Sequence, residues 1–230
     1  MTRFYHFWSS MPAQRVRLAL AYKQVPYEAM ALSHDDDAVF FDHGVAHADC
    51  LLLRDNGEVA TDPLRTLESL DEWLGGRPIL QGVLPPEAWN ALLNWRNSVE
   101  HVLGRLYAAV LPGFLDIEES EAAHAACKAE IEHKYGMSLE ELTNDRYDGF
   151  NQLSAMSRLK DLGRHLGKEK FYYGGQLSAA DILLACDLFP LQLLDGVTVP
   201  LDIMYYIKRV EDACGASPRD GVVATLATAH

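Results

Sequence analysis

Between Phe4 and Leu20 the chain changes period within one short run, FYHFWSSMPAQRVRLAL, and few folds allow that. Phe4-Tyr5-His6-Phe7-Trp8 is aromatic and reads as a buried strand. Ser9-Ser10-Met11-Pro12 is a break, and Arg15-Val16-Arg17-Leu18-Ala19-Leu20 reads as a helix. A strand running straight into a helix leaves the first N–H groups of that helix unpaired and aimed at the turn. Such a helix start favours a negative group, a thiolate included. Ser10 is the side chain best placed to use it. The hydroxyl does chemistry there, or caps the helix ahead of Pro12, or both.

The segment after this turn continues to mix strand and helix signals. Tyr27–Leu32 reads as a second strand, Asp35–Val45 as a loop or short helix, and Cys50–Leu53 as an apolar strand. Asn56-Gly57 carries a hairpin signal, with Glu58–Ala60 as the returning strand. Leu64–Leu74 then has helical spacing. A parallel pair joined by a helix, followed by an antiparallel hairpin, predicts a small α/β sheet domain over residues 1–76. The Gly/Pro-rich stretch 77–86 is expected to be a linker, and 87–230 an all-helical domain. Within it, Trp89–Leu106 and Leu201–Cys214 are predicted helices, and Ile117–His133 is weakly amphipathic. Ser138–Glu141 opens a helical region that reaches Gly167 with a break near Gly149, and 224–230 is expected to fray. Ser178 and Asp181 form a capping box at the head of helix Ala179–Leu194, flanked by the staple pair Leu177 and Ile182.

The net charge of −13 argues against nucleic acid as a partner, since phosphate binding needs clustered Lys and Arg. No window approaches about 18 uninterrupted apolar residues, so no membrane span is expected. MTRFYHFW lacks the basic and apolar regions of a signal peptide, which predicts a cytoplasmic protein. Cys50, Cys127, Cys186 and Cys214 are far apart with no CxxC and are expected to be free thiols.

The β-α-β-β-β-α order followed by a helical half with a Ser-x-x-Asp box resembles the glutathione S-transferase superfamily over nearly the whole chain. FWSSMPAQRVRLALAYKQVPYE is similar to the first β-α-β unit of its serine-type, zeta-like members. GGRPILQG (75–82) and LLACDLFPLQLLD (183–195) are also similar to the two-domain bacterial glutaredoxin. The resemblance implies a thioredoxin-like N-terminal domain, an all-α C-terminal domain, glutathione as cosubstrate and a role in detoxification. It puts the sulfur-stabilising hydroxyl on Ser10, with Ser9 one register step away, and the helix start at Pro12. Backbone at Asp49 and Cys50 would pair with the tripeptide, and Asp62 would take the γ-glutamyl ammonium. The partner would be a small electrophile, and a homodimer is compatible with the family.

Two positions depart from the family pattern. Asp49 stands where a cis-proline dipeptide is expected; a non-proline cis bond costs about 2.5–4 kcal/mol, so this peptide is expected to be trans. Pro63 replaces the serine beside the acidic residue and can supply neither hydroxyl nor N–H. These departures favour an alternative, a non-catalytic binding or regulatory member of the fold. A glutaredoxin-like thiol reductase is a third reading, weakened because Ser10 and Ala13 stand where its two cysteines would be. Asp42, His43, His47 and Asp49 cluster in sequence, yet Gly44 and the loop character argue against a metal site, and none is expected. His6 is expected to pack in the first strand. Trp95, Arg96 and Tyr107 lie on the first long helix and are candidates to line an acceptor site.

Overall fold

The computed structural model describes residues 1–223, so the tail expected to fray lies outside the described residues. Alternation builds the first strand: Thr2, Phe4 and His6 of β1 (Thr2–His6) point into the core while Arg3 stays in solvent. The chain then gives α1 (Met11–Lys23), β2 (Tyr27–Ala31), α2 (Ala38–Asp42), β3 (Cys50–Leu53), β4 (Val59–Ala60) and α3 (Pro63–Trp73). The sheet order is β2-β1-β3-β4. β1 pairs parallel with β2 and antiparallel with β3, and β3 pairs antiparallel with β4. β4 meets only Leu52 and Leu53, so the outer edge of β3 is open at Cys50 and Leu51. Gly57, with φ 85°, takes the left-handed position of the hairpin turn.

The segment read as a linker is held against the sheet domain. Asp71 of α3 accepts the N–H groups of Ile79, Leu80 and Gln81 and pairs with the buried Lys23 ammonium. Among the described residues, eight α-helices and a short turn follow: α4 (Pro86–Ala108), α5 (Leu115–Glu118), α6 (Glu121–Tyr135), α7 (Leu139–Asn144), α8 (Arg146–Met156), α9 (Leu159–Lys168), α10 (Ala179–Leu188), the turn Phe189–Leu193, and α11 (Leu201–Cys214).

Ile117–His133 holds the end of α5 and most of α6, the Ser120 hydroxyl capping α6 by accepting the Ala123 N–H. Two helical expectations are corrected. Gly149 does not break its helix: α8 runs through it, and a Cβ there would lie 3.0 Å from Leu106 of α4, so the glycine serves close approach. The breaks fall at Asp145 and at Ser157-Arg158, where Arg158 takes a left-handed φ of 50°. α10 stops at Leu188 and tightens into a 3-10 turn, since Pro190 has no N–H to continue an α-helix.

The capping box at the head of α10 forms in the core. Asp181, fully buried, accepts the N–H and the hydroxyl of Ser178, the N–H of Tyr172 and the hydroxyl of Tyr206. α1 packs against α3 on one side and α10 and α11 on the other. Its burial on nearly all faces explains why it shows no amphipathic stripe. Among the described residues, no helix is long and apolar enough to cross a membrane.

Candidate functional site

A cleft of about 920 Å³ opens between the β1–α1 turn, the approach to β3, and the faces of α4 and α6. Ser9, Ser10, Met11, Pro12, Asp49, Arg96 and Tyr107 line it. Ser10 is the N-cap of α1: its Oγ accepts the Ala13 N–H at 3.1 Å. The same hydroxyl donates to Asp49 Oδ1 at 2.7 Å. Its only proton is thus directed to a carboxylate, whereas the resemblance had it donating to sulfur. Asp49 is solvent-exposed, and all peptide bonds among the described residues are trans, that of Asp49 included.

Ser9 has a different task from the ligand contact expected of it. Its N–H lies 3.0 and 3.1 Å from the two oxygens of Asp116, and its hydroxyl donates to Asp116 Oδ2 at 2.7 Å. Tyr107 of α4 donates to the Ser9 carbonyl. Every polar group of Ser9 is taken by the helical half, which leaves nothing for a ligand. The reason is burial: Ser9 sits where sheet and helices meet, so each of its groups needs a protein partner. Burial pushes the Asp116 carboxyl up, and burial with the nearby Asp116 charge pushes the Tyr107 phenol up. Nothing in the local sequence pointed to Asp116, which lies 107 residues from Ser9.

Cys50 is fully buried and does not line the cleft. Burial, then the charges of Asp49 and Asp62, push its thiol up, so it offers no nucleophile. Only its backbone, on the open edge of β3, faces a possible partner. Asp62 also lies outside the cleft lining. Its Oδ1 accepts the N–H groups of Leu64 and Arg65 at 3.0 Å each, capping α3 with Pro63 in the first turn. Its Oδ2 makes no hydrogen bond and stands 3.8 Å from Arg65 Nε, a loose exposed pair. Arg65, which the sequence did not single out, puts a cation beside that carboxylate.

His47 pairs with Asp37, and among the described residues no group of three His, Cys, Asp or Glu gathers as a metal cradle. His6 is buried between Phe4 and Trp8, and burial, then Arg17, lowers its pKa to about 4. Trp95 packs on the core rather than lining the cleft, while Arg96 and Tyr107 do line it.

No protein-family model matches the chain. No curated protein matches it. Solved structures do. Glutaredoxin 2 from Salmonella typhimurium, in complex with glutathione, is similar with a TM-score of 0.78 at 19% identity, over 94% of this chain and 95% of that one. A glutathione S-transferase of Ceriporiopsis subvermispora, also in complex with glutathione, gives 0.71 at 16% identity, over 92% and 97%. Maleylacetoacetate isomerase from Methylobacterium extorquens gives 0.57 at 21% identity, over 94% and 96%. The chain thus has the fold of the glutathione S-transferases and glutaredoxin 2, a thioredoxin-like sheet domain followed by a helical domain.

Proposed function

We propose that this protein is a cytoplasmic glutathione transferase that binds glutathione in the cleft and directs its thiolate at a small electrophile. The observation that carries the reading is the capped start of α1 opening into a cleft of about 920 Å³ beside the free edge of β3. An extended peptide can add to an open strand edge through its backbone. The sulfur then falls at the helix start, where the positive end of the α1 dipole favours negative charge. The neighbours solved with bound glutathione support the same ligand.

In this reading the Ser10 hydroxyl turns from Asp49 to the sulfur. A thiol with an ordinary pKa of about 8.5 loses its proton to solvent more readily beside such donors. The thiolate lone pair forms the new C–S bond and the leaving group departs with its electron pair. Asp49 opposes this step, because its anion lies one hydrogen bond from Ser10. Beyond the cleft lining, Asp62 Oδ2 meets the γ-glutamyl ammonium, and Arg65 binds the ligand carboxylate that Pro63 cannot hold.

Calorimetry with glutathione is the decisive measurement. Affinity at or below the millimolar range, with thiolate absorbance near neutral pH that falls in Ser10→Ala, is the expected result. Binding weaker than millimolar sinks the reading.

The Ser10–Asp49 hydrogen bond favours a second reading, a non-catalytic binding or regulatory protein in which that pair is permanent. Asp49→Asn separates the two. A transferase gains thiolate signal when the competing anion is removed, whereas a non-catalytic protein shows none in either form.

A further inference from the structure

Ser10 belongs to the sheet domain, but the residue before it is fixed from the helical half. The Ser9 N–H lies 3.0 and 3.1 Å from the two oxygens of Asp116, which pins the Trp8–Ser9 peptide. Tyr107 donates to the Ser9 carbonyl, which pins the Ser9–Ser10 peptide. Planar peptides leave only φ and ψ free at each residue, so two fixed planes determine both angles of Ser9. The Ser10 Cα lies in the second plane, and its place follows.

Trp8 is gripped from another side. A Cβ at Gly221 would lie 2.5 Å from the Trp8 Cβ, so only glycine lets that turn close on the ring. Arg17 stacks over the same ring at 4.7 Å and holds the Pro218–Gly221 turn through the Ser217 carbonyl and Asp220 Oδ2. Asp116 is itself anchored. Its carbonyl accepts the His34 N–H at 2.9 Å, and Phe114, two residues earlier, bridges Val222.

The hydroxyl of Ser10 needs such a frame. To reach a sulfur it must swing from Asp49 about its Cα–Cβ bond, and the swing keeps its aim only over a still backbone. Misplacing a reacting group by about 1 Å can cost roughly 100-fold. Residues behind a site supply that precision when their own partners are locked. Asp116 is suited to this, being only 4% exposed and holding both the N–H and the hydroxyl of Ser9.

We infer that Asp116 is a positioning residue for Ser10, with Tyr107 as its partner, so that the helical half sets the aim of the sheet domain's hydroxyl. Its effect on thiolate formation rests on the transferase reading above; the aim of Ser10 does not.

The test reads Ser10 without and with ligand. Amide hydrogen exchange of Ala13 reports the hydroxyl alone, because that N–H donates to Ser10 Oγ. Asp116→Ala should speed Ala13 exchange at least tenfold relative to Leu18 of the same helix. Tyr107→Phe, which keeps the ring, should act in the same direction more weakly. With glutathione added, Asp116→Ala should lose at least threefold in thiolate absorbance while the glutathione Kd moves by less than threefold. Asp116→Asn should restore both signals, since its oxygen accepts the Ser9 N–H and its amide donates to the Ser9 hydroxyl. A merely structural Asp116 would lower the unfolding midpoint of Asp116→Ala and leave Ala13 exchange and thiolate absorbance of the folded protein unchanged. That pattern overturns the inference. So does a loss that Asp116→Asn shares in full, because charge rather than the hold on Ser9 would be at work. If Asp116→Ala does not fold, unchanged Ala13 exchange in Tyr107→Phe overturns it. Faster Ala13 exchange in a protein that binds no glutathione refutes the transferase reading and keeps the positioning role.

Discussion

Helices α1 and α10 both begin at a serine hydrogen-bonded to a nearby carboxylate, yet one start is sealed and the other is open. At α10, Ser178 and Asp181 are fully buried, and every contact of Asp181 is with this chain's own donors. At α1, Ser10 is half-buried, its carboxylate partner Asp49 is exposed, and both line a cleft. The same pair of functional groups therefore locks a core in one place and leaves a surface able to exchange partners in the other. What differs is where the carboxylate comes from. Asp181 sits three residues into its own helix, whereas Asp49 is delivered by the approach to another strand.

Breaking the sealed start should have the largest effect. Asp181→Ala strands four donors, the Tyr172 and Ser178 N–H groups and the Ser178 and Tyr206 hydroxyls. Several buried donors left without an acceptor should cost roughly 3–5 kcal/mol, read from urea unfolding. An acid titration probes the floor beneath the open start. His6 has a folded pKa lowered to about 4, so its stabilising contribution is full above 6.5 and is lost as pH falls through 4. Stability should drop by on the order of 3 kcal/mol over that window, and His6→Leu should remove that component. Comparing the two proteins isolates His6 from Asp116 and Asp181. Their raised carboxyls act in the opposite sense, giving up stability as pH rises through their folded values.

Ser10→Ala should cost about 1 kcal/mol, the ordinary worth of an N-cap, because only the Ala13 N–H loses its acceptor. The smallest change should come from Asp49→Ala. Water replaces the exposed carboxylate at Ser10, and thermal unfolding should move by less than about 0.5 kcal/mol. A loss as large as that of Asp181→Ala would mean that the two starts are alike after all.

Local pattern carried most of the architecture. The period change after Trp8, the Asn56-Gly57 turn and the spacing of Leu201–Cys214 are each set by near neighbours in the chain, and β3 and α11 match the expected spans. Gly149 misled because a glycine that lets α4 and α8 approach looks, in sequence, like one that ends a helix. The site was harder to read for a related reason. Ser10 was legible as a helix-start residue and Asp62 as a ligand contact, but whether their oxygens turn to a ligand or to their own backbone depends on neighbours. Asp116 reaches Ser9 across 107 residues and Asp187 reaches Arg15 across 172, and no periodicity encodes such pairings.

The near-complete burial of α1 bears on cooperativity. One continuous apolar cluster runs from Phe4 and Leu52 in the sheet through Val16 and Leu20 of α1 to Leu183 and Ile207 in the helical half. Neither half can shed the other without exposing a face of α1 to water. The Gly/Pro-rich division in the chain is then no division in the folding unit, and melting should be a single transition rather than two.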